Sequence, residues 1–324
     1  MIKERSYKKL LAGSFLIALF AVPIFSQSKC ADNAKVVKPI LSKETKENFE
    51  KELVKAEVEL AKIRVSPDLS PSKDTHGANG SDELIWVGRR QAYLGEYRKA
   101  ISTFTKGTQI YPKDARFYRH RGHRYITLRC FDDAINDFEK AADLIKGKPD
   151  EVEPDGLPNA RNIPTSTLQS NIWYHLGLAY YLKGNFKKAL SAYEQCLKVS
   201  KNSDMLVATV NWQYATLRRL GKKEKAERSI EAIKDDLDII ENEGYYKLVK
   251  VYQGKITPQV LLNETGKNED SLSDASIGYG LGNWFLINGE KEKAKKIFEE
   301  ITTGDQWSSF GYIAAEVELN RGNL

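Results

Sequence analysis

The chain has 324 residues, of which 41% are hydrophobic and 29% charged, with a formal net charge of +6. That balance, with 10 prolines, fits a soluble and mostly helical protein. Three cysteines exclude a disulfide-stapled scaffold; Cys130 and Cys196 read as small buried residues, although one pair is free to form.

Residues 1–26 have the order of a secretory signal: basic MIKERSYKK, the apolar run LLAGSFLIALFAVPIF, then SQS. The run of 16 is short for a spanning helix and contains Pro23, which argues against an uncleaved anchor. Cleavage after Ser26 or Ser28 is expected, and the product would be periplasmic or secreted. Lipidation of Cys30 is the alternative, although Gln27-Ser28-Lys29 departs from a lipobox. Removing four basic residues and one acidic residue lowers the charge from +6 to +3, which says little about partners.

Residues 27–81 form the next segment. Phe49, Leu53, Ala56, Leu60 and Ile63 repeat every three or four residues, which predicts a helix that forms a short coiled coil or packs onto the first repeat. VSPDLSPSKDTHGANGS, residues 65–81, reads as a linker.

From residue 82 a repeat sets the pattern. Ala-x-x-x-aromatic recurs at Ala100–Phe104, Ala134–Phe138, Ala189–Tyr193 and Ala294–Phe298, and the first two alanines are 34 residues apart. Trp173-x-x-Leu176-Gly177-x-x-Tyr180 precedes the third copy, and Gly95 and Gly184 fall in the intervening turns. These motifs resemble the tetratricopeptide repeat (TPR) family, and most of the mature chain resembles exported bacterial proteins of that class. The resemblance implies an all-α solenoid of helical hairpins, a right-handed superhelix in which stacked neighbours complete each other's core. Residues 82–148 hold units one and two, 170–240 units three and four, 241–274 an irregular helical unit, and 275–324 a last unit with a capping helix.

Between units two and three the register gains 21 residues, giving a Pro-rich acidic insertion at 149–169. Its charges Asp150, Glu151, Glu153 and Asp155 come after a strongly basic stretch, eleven basic residues against two acidic between Gly88 and Cys130. The insertion, with Arg161, is expected to lie against the edge of the concave surface, held partly by packing of Leu157, Ile163 and Leu168.

RHRGHRYITLR, residues 119–129, is the densest cluster of reactive side chains. His120, His123 and the equivalent His175 could form an open zinc site, but no cysteine or carboxylate is locked to them by a ligand spacing. No nucleophile elbow, HExxH or phosphate loop is present, so no catalytic residue, metal or cofactor is expected. The TPR resemblance implies instead that first helices line a concave groove. Residue by residue it selects Arg89, Arg116, Arg119, His123, Asn171, Tyr174, Tyr181, Asn211 and Arg218, with Arg119 and His123 exposed. Such arginines, amides and phenols suit an extended, acidic peptide. They do not reproduce the family's carboxylate clamp, and Arg121 stands where an apolar residue is usual. The expected function is an exported scaffold for a peptide or protein partner, capable of homodimerising and with no nucleic-acid motif. The alternative is an accessory protein for anionic glycans or phosphates, with an enzyme third.

Overall fold

The computed structural model describes residues 28–65, 80–265 and 272–322; the expected signal segment and most of the linker lie outside them. Fifteen helices succeed one another among the described residues, with one isolated bridge, Val152 to Thr167, and no strand. The short α1 (Lys29–Asn33) precedes a long α2 (Lys43–Val65). Four hairpins come next: α3 (Ser81–Tyr93) with α4 (Tyr97–Ile110), α5 (Ala115–Thr127) with α6 (Phe131–Leu144), α7 (Leu168–Leu182) with α8 (Phe186–Val199), and α9 (Ser203–Arg219) with α10 (Lys223–Glu231). After them are the shorter α11 (Glu243–Tyr252) and α12 (Pro258–Thr265), then α13 (Leu272–Ile287), α14 (Lys291–Thr303) and a final α15 (Phe310–Arg321).

One contact explains why the hairpins share a geometry. A glycine in the first helix faces an aromatic ring sixteen residues later, in the pairs Gly88–Phe104, Gly122–Phe138, Gly177–Tyr193 and Gly282–Phe298. A methyl group at Gly177 would sit 2.5 Å from the Tyr193 ring, so the two backbones could not approach as they do. All four rings are fully buried, as are Ala100, Ala134, Ala189 and Ala294. Each buried ring contributes about 2–3 kcal/mol to the hairpin core. Side chains close the helix starts: Asp114 accepts from the Arg116 backbone, Asn202 from Met205, and Thr167 forms a capping box with Ser170.

The apolar stripe of α2 packs on the first hairpin, with Phe49 5.6 Å from Tyr93 between ring centres and Leu60 and Ile63 against Gly80. Arg121, the departure from apolar packing, reaches into α6 and forms a forked pair with Asp137 at 2.7 and 2.8 Å.

The cysteines need correction. Cys30 and Cys130 form a disulfide across 100 residues, so Cys130 is not a free buried thiol and the Cys30 sulfur is not open to a lipid. Cys196 is buried and free, its thiol pushed up to about 11 by burial.

The inner side of the superhelix is filled. Helices α7, α9 and α13 meet through Tyr181, Trp212 and Tyr279, where the Trp212 and Tyr279 rings stack at 5.5 Å and the two tyrosine hydroxyls bond at 2.9 Å. Helix α15 turns back toward the second and third hairpins, placing Phe310 5.2 Å from the His123 ring and 5.4 Å from His175.

Candidate functional site

The inner face divides into two parts. In the later part, residues expected to line an open groove belong to the core. Tyr181 has no exposed surface, Tyr174 bonds to the Tyr245 hydroxyl, and Asn211 accepts from Tyr252 at 2.9 Å. Arg218 is spent on Tyr214, the Ile287 carbonyl and Asn288. The physical reason is the tight return of the chain: α11 and α13, with α15 beyond them, occupy the space a more open superhelix would leave to solvent. Burial raises the pKa of these phenols, that of Tyr181 to about 12.

In the earlier part, on α3, α5 and α7, the insertion occupies the face. Glu153 is buried, its carboxylate 3.1 Å from Arg119 Nε and 3.3 Å from His120 Nε2, and it accepts from the Asn171 amide at 2.9 Å. Arg89 donates to the Pro154 carbonyl at 2.8 Å and Arg90 to Gly156 at 3.0 Å. The insertion thus lies on the inner face as an extended segment held through its backbone and one carboxylate. Arg119 retains unused capacity, because its buried Nε–H is not aligned on Glu153 and has no hydrogen-bond acceptor.

The contacts anchoring the insertion differ from those expected. Leu157 and Ile163 are 57% and 43% exposed, so only Leu168 packs into the core. Polar contacts do the rest: Arg161 forks onto Asp238 at 2.7 and 3.0 Å, Thr165 donates to Glu241, and Asn202 donates to the Thr165 carbonyl at 2.8 Å. Asp150 caps α7 through Gln169 and Thr167 rather than facing the groove, and Glu151 is exposed. Asp155 is half-buried and its pKa is raised, by burial first and then by Glu241.

Arg116 does not point into a groove; it is tied to Asp114 and, at 2.6 Å, to Asp82. Burial opposes its charge, yet the hydrogen bonds to Asp114 and Asp82 push its pKa up. Arg119 is 8% exposed and His123 is partly buried, its ring tilted against His175 at 4.7 Å, so the expected exposure of this pair is corrected. The three histidines do not converge on a point. His120 turns to Glu153, His123 lies on His175, and His175 Nδ1 bonds to the Asn171 carbonyl. Burial, with Arg119 and Arg124 close by, pushes all three well below the ordinary imidazole range, His175 to about 3. They are neutral at pH 7. The grouping of metal-type ligands among the described residues is Cys30, Cys130 and Asp133, whose two thiols are already joined.

Sequence reasoning missed two features. Asp204, buried at the start of α9, accepts from the backbone amides of Ile240, Glu241 and Asn242 and so fixes the irregular chain after α10. Arg129 adopts a left-handed backbone (φ 64°) in the turn where other hairpins have Gly95, Gly184, Gly221 and Gly289. Aligning those turns would have revealed the arginine.

Among the described residues, no helix is long and apolar enough to cross a membrane.

Residues 170–203 match the sequence family described as tetratricopeptide repeat. The chain is 20% identical over 174 residues to small glutamine-rich tetratricopeptide repeat-containing protein 2 of Saccharomyces cerevisiae, covering 54% of this chain and 44% of that one. It is 24% identical over 205 residues to serine/threonine-protein phosphatase 5 of Rattus norvegicus, covering 58% and 35%. The chain thus spans less than half the length of these curated relatives. Among solved structures, a tetratricopeptide repeat protein from Parabacteroides merdae is similar at 18% identity and a TM-score of 0.46, covering 84% of this chain and 96% of that one. YrrB, described as a TPR protein with an unusual peptide-binding site, is similar at 14% identity and a TM-score of 0.40, covering 82% and 97%. Proteins of this repeat class act generally as protein-interaction scaffolds, and the fold is typically non-catalytic. The matched unit is thus similar to the tetratricopeptide repeat, and its glycine–aromatic contact recurs in three other helix pairs of the array.

Proposed function

We propose that the chain is an exported scaffold that takes an extended, acidic segment of a protein partner on the inner face of α3, α5 and α7. The supporting observation is the seat of Glu153: a carboxylate inside the superhelix, held by Arg119, His120 and Asn171, with Arg89 and Arg90 gripping the carbonyls beyond it. In the resting chain the insertion fills that seat. A partner segment enters by displacing it, using the same carboxylate and backbone contacts and the unsatisfied Arg119 donor. The docked insertion is a self-bound ligand, held by polar contacts and not by its apolar side chains, since Val152, Leu157 and Ile163 are exposed. Export is supported by the signal-like first 26 residues and by the Cys30–Cys130 disulfide, a bond that persists in oxidising compartments.

The test replaces residues 151–164 by a Gly-Ser linker and titrates a labelled peptide, EVEPDGLP, which is the insertion's own sequence. The replaced chain, shown by circular dichroism to keep its helices, is expected to bind the peptide, and the intact chain not to. Exchanging the second glutamate of the peptide for glutamine should weaken binding by about tenfold or more, the weight of a charge-assisted hydrogen bond. Equal binding of the two peptides, or none to a folded replaced chain, would remove the groove from the reading. N-terminal sequencing of the chain from an envelope extract checks export, the expected first residue being Gln27 or Lys29.

A further inference from the structure

A second concavity has no occupant among the described residues. It is a cleft of about 880 Å³ between the N-terminal segment, the turns of the second and third hairpins, and the outer side of α15. That volume is in the usual range for a small-molecule site. Its charged lining is one-sided: Lys29, Lys35, Arg129, Lys183 and Arg321 against the single carboxylate of Glu316. Its apolar walls are Leu182, Phe131 and Val317.

The walls are fixed before any ligand arrives. The disulfide ties residue 30 to the second hairpin, and Arg98 holds the same segment through the carbonyls of Ala31, Asp32 and Ala34, at 2.9, 3.1 and 2.5 Å. On the opposite wall, Arg321 donates to the carbonyls of Tyr181 and Leu182 at 2.8 and 2.7 Å. Arg129 joins the two walls. Its guanidinium lies 3.9 Å above the Trp307 ring, pairs with Glu316 at 2.7 Å and donates to the Trp307 carbonyl at 3.0 Å. A left-handed backbone is strained at a non-glycine residue, whose Cβ crowds the following carbonyl oxygen. Retaining an arginine there, where the other turns have glycine, marks a side chain needed at the cleft. Preorganised walls lower the entropic cost of binding.

The charge balance sets the ligand class. Glu316 is taken by Arg129, Asp132 by Lys183 at 2.9 Å, and Glu318 by Arg321 at 2.5 Å. Lys29 and Lys35 remain, with no acidic partner among the described residues. Two exposed ammonium groups each form only a weak, solvent-screened ion pair, so charge alone holds little. The apolar walls must supply the remainder. We propose that this cleft binds a small dianion carried on an apolar body, with the dianion at Lys29 and Lys35 and the body against Leu182, Phe131 and Val317. The proposal is independent of the groove and stands whether or not the insertion can be displaced.

Calorimetric titration of the full chain with phenyl phosphate, phthalate and inorganic phosphate tests it. One aromatic dianion per chain should bind, about fivefold or more tighter than inorganic phosphate, since the ring adds apolar burial. Whether phenyl phosphate or phthalate is preferred separates a phosphate ester from a dicarboxylate. The double change Lys29→Gln/Lys35→Gln should weaken binding by about fivefold, the effect of two exposed pairs, with the melting temperature unchanged because both side chains are exposed. The proposal is overturned if neither aromatic dianion binds by roughly 10 mM, where affinity falls below ordinary ligand strength. It is also overturned if the double variant binds as the parent does, or if inorganic phosphate matches the aromatic dianions.

Discussion

Helix α5 serves both concavities, and it uses arginine in opposite ways at its two ends. At the groove, Arg119 is buried and its charge is offset by a carboxylate from the chain's own insertion. Past the C-terminal end, Arg129 clamps two walls of a cleft that stays open. The groove is closed by polar contacts to a segment whose apolar side chains Val152, Leu157 and Ile163 face solvent. The cleft is framed by a covalent bond and a stacked cation. Concavity alone therefore does not reveal a free site: the more enclosed surface is already occupied, and the exposed one has no occupant among the described residues.

The cleft frame gives the largest effect expected of a single substitution. The disulfide closes a span of 100 residues, and losing a bond of that reach costs about 3–4 kcal/mol. Cys30→Ser should therefore lower the unfolding free energy by that amount, with a matching fall in the denaturation midpoint. An unchanged midpoint would mean that Arg98 alone holds the segment and that the two concavities are framed alike.

Acid should act on the other side. His120, His123 and His175 are neutral in the fold with depressed pKa values, whereas the unfolded chain titrates near 6.5. Below that value the unfolded state binds more protons, so stability is fully present above about pH 6.5 and declines as pH falls toward the folded values. Each histidine contributes a slope of about 1.4 kcal/mol per pH unit within that window. Denaturant melts between pH 7 and 4 should show the decline, and His175→Gln should reduce it by about one proton. A flat profile would show that water reaches these rings.

The smallest effect isolates the turn. Arg129→Ala loses the contacts to Glu316 and Trp307 while keeping the left-handed backbone. Arg129→Gly loses the same contacts without that conformational cost, so it should be about 1 kcal/mol more stable than the alanine variant. Equal midpoints would indicate that the turn relaxes and that the arginine stores no strain.

The first three hairpins and the α13–α14 pair were legible because each rests on a local contact, a glycine against a ring sixteen residues on, which leaves a spacing in the sequence; α9–α10 has no such pair. Arg121 was legible as a departure from that pattern, and Asp137 lies sixteen residues away in the same register. The inner face was not. Tyr181 meets Tyr279 and Asn283 across about a hundred residues, and the path between them runs through the irregular α10–α12, whose geometry depends on Asp204. The destination of Glu153 was readable only as a charge tendency, because three partners on α5 and α7 select one of four nearby acids. The disulfide was hidden because Cys30 and Cys130 have unrelated local contexts.

The return of α15 also bears on how the chain folds. In an open solenoid each unit touches only its neighbours, so folding can start anywhere and spread. Here Arg129 meets Glu316 across 187 residues, and Phe310 covers rings of the second and third hairpins. Contacts of such separation raise the contact order and slow the last stage of assembly. They also couple early hairpins to the final helix. A chain ending before Phe310 would fold its hairpins but leave His123 and His175 uncovered, and the array would lose the cooperativity that α15 imposes.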